Sequence, residues 1–276
     1  MPSLRRTIGT EVRKLVSSSP NAAPAWRGGL GYFEPDAVAR RVHGDFTTML
    51  AGGVSALLLQ MLHPGALAGV WDHSDFRQDM AGRLRGTAQF IAITTYGSFA
   101  EADAIIARVQ AIHDRVHGVR ADGTPYSAND PHLLTWVHIA GAWSFLASYE
   151  RFAGRLTPAE ADRYFAETVP IAELLGATKV PASKSEAEDY LLRMRPELRA
   201  DERSAEVAQV LLNEPAPKWA MEPARRVVMD AGIGLLPRWA AEMHGFPRRR
   251  LGMATDGALI GLRKVAGWAL RADARA

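Results

Sequence analysis

The sequence contains no cysteine. That excludes a disulfide framework, thiolate zinc sites, iron–sulfur ligation and a cysteine nucleophile, and it fits a reducing compartment. Lysine is scarce too: Lys14, Lys179, Lys184, Lys218 and Lys264 are the only five among 33 basic residues. The net charge of +3 is small for 276 residues, and the arginines are scattered among acids. The one tight basic cluster, Arg248-Arg249-Arg250 after Pro247, is not the basic stripe with interleaved aromatics of a nucleic-acid binder. Clean apolar runs are also missing. Met49 to Val70 is interrupted by Gln60, His63 and Pro64, and Leu133 to Phe152 by Thr135, His138, Ser144 and Ser148. Both fall short of the roughly 20 apolar residues that a transmembrane helix requires. The opening MPSLRRTIGTEVRKL is basic without an apolar stretch behind it, so it reads as a short amphipathic arm and not as a secretory signal. A cytoplasmic location is the expectation. There is no glycine-rich phosphate loop, no G-x-S-x-G elbow and no Glu-x-x-His pair of the di-iron carboxylate bundles.

What the chain has instead is helix punctuation. Its apolar fraction of 47% and charged fraction of 23% are those of a folded chain long enough to bury a core. Ser98-Phe99-Ala100-Glu101 is a capping box, and the helix it opens is expected to run to His117 with Gly118 as a left-handed stop. Thr157-Pro158-Ala159-Glu160 combines a second box with proline at the first helical position, and Ser183 to Glu186 is a third. Asn129-Asp130-Pro131 starts an apolar helix, and further helical patterns cover 37–62, 78–95, 186–194, 202–213, 219–231, 235–244 and 256–270. With period-2 alternation absent, these boundaries imply an all-α fold, a single compact domain of about ten helices over residues 1–276.

Chemistry concentrates between residues 63 and 138, where most of the eight histidines lie. On the helix from 99, Ile105, Val109, Ile112 and Val116 are spaced as one apolar face, and His113 falls on it. An imidazole buried there needs a partner. A backbone hydrogen bond supplies one, and so does a haem iron. His113 and His117, four apart, also have the spacing of a metal-chelating pair, without the acid that zinc-protease helices place between. His138 sits in a helix apolar nearly all round and must likewise be paired or liganding. His63, before Pro64, is placed to cap the end of an apolar helix, and His73-Ser74-Asp75 reads as a turn or helix start. Arg83 and Thr87 share a helix face and can address one anionic group, although a surface ion pair is the commoner fate of an arginine. Tyr96, just before the Ser98 cap, offers a phenolic hydrogen bond or packing alone.

Taken in order, HPGALAGVWDHSDF, RLRGTAQFI, TTYG, IHDRVHG and PYSANDPHLLTWVH resemble the MpaB and latex-clearing-protein family of haem-dependent oxygenases, an all-helical superfamily, over residues 40–245. The resemblance implies a b-type haem bound without covalent attachment and a helix histidine as proximal iron ligand. The matching position is His113, with His117 as the fallback. It also implies that Arg83 and Thr87 hold the haem and organise the catalytic pocket; His138 and Tyr96 are further pocket candidates from the residues themselves, not from the resemblance. The chain departs from the rubber-cleaving members at Gly86, where they carry a lysine, and GALAGVW lacks the glutamate proposed as their base. Polyisoprene cleavage is therefore not expected. The expected function is a haem b oxygenase or oxidase that uses dioxygen on a small to medium apolar substrate, without nucleic-acid or transmembrane character. The alternative is a non-enzymatic helical ligand-binding protein that keeps the fold without haem.

Overall fold

The computed structural model describes residues 31–246 and 253–270. The N-terminal arm and the Arg248-Arg249-Arg250 cluster lie outside the described residues. Twelve α-helices are seen among the described residues, and eight of them start at a side-chain cap. Helix α1 (Val38–His43) ends at Gly44, and Asp45 then caps α2 (Phe46–Gln60) by accepting the Thr48 N–H. The helix expected over 37–62 is thus two helices, because the Asp45 carboxylate satisfies a new N-terminus. His63 caps a helix that the sequence reading did not contain, α3 (Pro64–His73): its Nδ1 accepts the Gly65 N–H, so it opens a helix and does not close one. Pro64 at the first position needs no N–H partner there. His73 correspondingly ends α3 and does not begin a helix.

Asp79 caps α4 (Met80–Tyr96), and the Ser98/Glu101 capping box opens α5 (Phe99–His113) as expected. Helix α5 stops four residues before the expected end. The chain turns at Asp114 and enters a two-stranded antiparallel hairpin, β1 (His117–Val119) with β2 (Pro125–Ser127), in which Gly118 faces Tyr126. Gly118 is therefore no left-handed helix stop; the left-handed glycine is Gly123 (φ 82°) in the hairpin loop. A side chain at 118 would meet the Tyr126 hydroxyl at 2.9 Å. Glycine there lets the Tyr126 ring reach Asp72, to which its hydroxyl donates at 2.6 Å. His73 Nε2 lies 3.1 Å from that hydroxyl and 3.2 Å from the His117 carbonyl, so the hairpin is tied to the end of α3.

Beyond the hairpin, Asp130 caps α6 (Pro131–Phe152) and the Thr157/Glu160 box opens α7 (Pro158–Leu174). Ser183 caps α8 (Lys184–Met194), which leads through the 3-10 turn Arg195–Glu197 to α9 (Glu202–Asn213). Helices α10 (Glu222–Leu235), α11 (Arg238–Met243) and α12 (Met253–Leu270) complete the described chain.

The core is organised on α2 against α6. Gly52 brings the two backbones together, since a Cβ there would lie 2.9 Å from the Phe145 ring. Ser148 Oγ donates to the Thr48 carbonyl at 2.7 Å, Gln60 Nε2 to the Val137 carbonyl, and the fully buried Trp136 donates Nε1 to the Gln60 carbonyl. Polar groups in this seam are thus satisfied across it, as low dielectric demands. No single helix among the described residues is long and apolar enough to cross a membrane; α2 and α3 together have the length but bend by 104°.

Candidate functional site

Helices α4 and α5 are joined by Gly97 and Ser98 alone and pack against each other. Arg83, in the first turn of α4, and His113, the last residue of α5, therefore both stand at the end of the pair remote from that connection. Thr87 lies one turn beyond Arg83 and donates its hydroxyl to the Arg83 carbonyl at 3.3 Å.

The electrostatics single out Arg83. Its neighbour Arg85 pairs with Asp79 at 3.5 Å, but the Arg83 guanidinium has no hydrogen-bond or ion-pair partner among the described residues. Burial lowers its pKa, with no offsetting carboxylate among the described residues. A desolvated cation without a counterion is unfavourable, and it marks a place where an anion is welcome.

His113 is the complementary observation. Its Nδ1 is buried and has no hydrogen-bond partner among the described residues. Desolvation lowers the pKa of the ring, against a smaller opposing pull from Asp114, so the imidazole is neutral at pH 7. The face it occupies is the buried one, but its members are Ala102, Ile106 and Val109; Ile112 is exposed, which corrects the expected stripe. His117, the fallback, stands exposed on β1, so the helical i, i+4 pair does not form.

His138 on α6 also has a buried ring nitrogen, Nε2, without a partner among the described residues, and burial pushes its pKa down to about 4. It lies in the electrostatic reach of His43, a residue that no spacing in the sequence singles out. The His43 ring is bound on both sides, Nδ1 at 2.9 Å from Thr95 Oγ1 and Nε2 at 3.1 Å from the Tyr164 hydroxyl, and burial pushes it down to about 3. His43 thus ties α1, α4 and α7 at one point. Tyr96 does similar work: its hydroxyl donates to the Arg40 carbonyl at 2.6 Å, and the Arg40 guanidinium lies over its ring.

The remaining wall is apolar and incompletely covered. Leu84, Phe90, Ile91 and Ile93 of α4 are only half-buried, and beside Gly86 a Cβ would meet no atom within 4 Å. An unpaired guanidinium, an unpaired buried imidazole nitrogen and a half-covered apolar helix form a donor set that suits an apolar, carboxylate-bearing metal cofactor.

The sequence model of the family described as ER-bound oxygenase mpaB/B′/rubber oxygenase, catalytic domain, matches residues 40–271. The chain belongs to this oxygenase family. Searches of curated proteins and of solved structures gave no match. The match extends past the residues of the sequence resemblance to include α12. Arg83, a half-buried cation without a partner among the described residues, and His113, with its unpaired buried Nδ1, both fall inside the matched residues.

One further cluster was not visible in the sequence. His63, His132 and Glu197 converge although they come from three separate segments, so no spacing motif announces them.

Proposed function

We propose that this oxygenase-family chain binds haem b through His113 and oxidises a small to medium apolar substrate with dioxygen. The reading is carried by one observation: the partnerless buried Nδ1 of His113 stands at the same end of the α4–α5 pair as the uncompensated Arg83 guanidinium. When bound, haem supplies an iron centre that activates dioxygen.

The chain's own residues account for the rest. The lowered pKa of His113 keeps its ring neutral near pH 7, which leaves one nitrogen lone pair for a metal. Arg83 offers a planar fork to a propionate carboxylate, a geometry that lysine cannot reproduce. Thr87, whose hydrogen is engaged by the Arg83 carbonyl, keeps its oxygen lone pairs as acceptors on the same face. Leu84, Phe90 and Ile91 provide apolar surface for macrocycle and substrate, and such surface excludes water from the reacting atoms. Gly86 places no side chain before Thr87, so nothing from that position caps the pocket. His138 is a second, more deeply placed polar contact for the bound molecule.

The test is the visible spectrum of the chain purified with haem supplied. A Soret band is expected in the wild type and its loss in His113→Ala, with the helical circular dichroism kept. A colourless wild type, or the same band in His113→Ala, removes the assignment; a colourless chain that retains apolar ligands would indicate a binding protein.

A further inference from the structure

A second polar cluster lies outside the proposed haem site. His63 caps α3, His132 is the second residue of α6, and Glu197 ends the 3-10 turn after α8. His132 Nε2 sits 2.8 Å from Glu197 Oε2, and His63 Nε2 lies 4.0 Å from the same oxygen. The three ligand-type atoms all fall within 4.8 Å of one another. The His63 ring is held from behind by Trp136, with ring centroids 6.3 Å apart. The Asp130 carboxylate fixes the start of α6 by accepting the His132 N–H at 2.9 Å. Tyr190, 9% exposed, buries a hydroxyl without a partner among the described residues, and the carboxylates of Glu197 and Asp130 both act on it.

We propose that His63, His132 and Glu197 form a binding site for a divalent transition metal, best matched to Zn2+, with a fourth position open to water or an added ligand. Two imidazoles and one carboxylate are a nitrogen-rich set that Zn2+ prefers and that Ca2+ and Mg2+, which seek oxygen, do not. Zinc–ligand bonds of about 2.0–2.1 Å in a tetrahedron put donor atoms roughly 3.4 Å apart. The observed 2.8 and 4.0 Å bracket that separation. His132 and Glu197, with side chains 49% and 48% exposed, have room to close the difference, whereas His63, 14% exposed, has room only to turn its ring.

Metal capture has a local consequence. His63 Nδ1 accepts the Gly65 N–H, so the proton of the neutral ring sits on Nε2. Ligation through Nε2 moves that proton to Nδ1, and the ring must turn from Gly65 and give up one helix cap. In return the metal joins the start of α3, the start of α6 and the turn after α8. The site is independent of the haem reading.

The untagged full chain, stripped with a chelator, is titrated calorimetrically with Zn2+, Mg2+ and Ca2+. One equivalent of Zn2+ is expected to bind, with no such event for Mg2+ or Ca2+. Loss of outer partners of a metal site already weakens binding about 10–100-fold, so His132→Ala and Glu197→Gln are each expected to weaken it at least about a hundredfold. Both side chains are half-exposed, which keeps the variants folded, and unchanged circular dichroism checks this. His113→Ala, which tests haem binding, is expected to keep the Zn2+ event. Absence of a one-equivalent event in the wild type, or an undiminished one in His132→Ala and Glu197→Gln, overturns the site.

Discussion

Helices α2 and α6 bury 10 of 15 and 13 of 22 residues, whereas α4 and α5 bury 3 of 17 and 2 of 15. The difference is not one of apolar content alone, since α4 carries Met80, Leu84, Phe90, Ile91 and Ile93. In the first pair, glycine brings backbones close and Ser148, Gln60 and Trp136 donate across the seam, although His138 of α6 keeps an unpaired buried Nε2 among the described residues. In the second pair, apolar side chains are half-covered, and among the described residues a guanidinium has no counterion and an imidazole nitrogen has no partner. One pair holds the fold; the other, on the function proposed above, receives the cofactor. Functional sites commonly give up local stability in this way.

The largest expected effect compares the same truncation in the two regions. Trp136→Ala removes a fully buried ring and its hydrogen bond to Gln60, at a cost of about 3–5 kcal/mol. Phe90→Ala removes a half-buried ring of α4, and is expected to cost about 1–2 kcal/mol without haem, at the low end for core truncation, and more once haem is supplied. Urea unfolding of both variants with and without haem makes the measurement. Equal costs in the haem-free chain would show that α4 is held as firmly as α6.

Acid sensitivity comes next and belongs to the border between the regions. His43 is pushed down to about 3 and His138 to about 4, both by burial. The unfolded rings titrate near 6.5, so below that pH the unfolded chain binds protons that the folded chain refuses. Stability is therefore complete above about pH 6.5 and falls towards pH 4, by about 1.4 kcal/mol per pH unit for each ring. Unfolding midpoints at pH 7.5, 6.0 and 5.0 should show this slope, and His43→Gln should remove one ring's share. A slope that His43→Gln leaves unchanged would place the acid sensitivity elsewhere.

Much of this arrangement was legible in the sequence, and the parts that were not share a cause. Capping boxes at Ser98 and Thr157 and the Asp130-Pro131 start set the beginnings of α5, α6 and α7 correctly because they are local hydrogen-bond chemistry. The all-α class followed from them, and so did membership in the oxygenase family from the ordered segments. Helix α3 was missed because a histidine cap is rare and Pro64 reads as a terminator as readily as a first residue. The hairpin was missed because its strands have three residues each and its glycine, Gly118, is required by Tyr126 from the opposite strand. That His113 lies on a buried helix face was anticipated from periodicity; that its Nδ1 has no partner among the described residues was not, since a backbone hydrogen bond was the commoner expectation. The isolation of Arg83 was not, since only the fold shows which acids stay away. Nor was the meeting of His63, His132 and Glu197, which depends on long-range packing.

Arg83 yields a smaller effect of opposite sign on stability and function. Replacing an uncompensated cation by a side chain of similar length relieves its desolvation. Arg83→Met is expected to raise haem-free stability by about 1 kcal/mol, in the range of a single unsatisfied polar group, while weakening haem retention. Denaturant midpoints and the Soret absorbance after gel filtration report the two halves. A destabilised haem-free Arg83→Met would mean that the guanidinium is satisfied by the chain itself.

The smallest effect sets two glycines against each other. Gly86 lies inside α4 with no atom within 4 Å of a built Cβ, whereas at Gly52 in α2 the same carbon falls 2.9 Å from the Phe145 ring and 3.1 Å from the Ser144 carbonyl. Alanine in place of glycine in a helix interior is favourable by about 1 kcal/mol when space allows. Gly86→Ala should therefore gain about that amount, raising Tm by about 2–4 °C for a chain of this size, and Gly52→Ala should lose stability because backbone and ring must shift. Gly86→Lys adds a cation to the same helix position. It should keep most of the stability gain but alter the haem spectrum where Gly86→Ala does not, because only the longer side chain reaches across the open face. If Gly86→Ala destabilises the chain, that face is closed, and the contrast between a packed seam and a receptive one loses its basis.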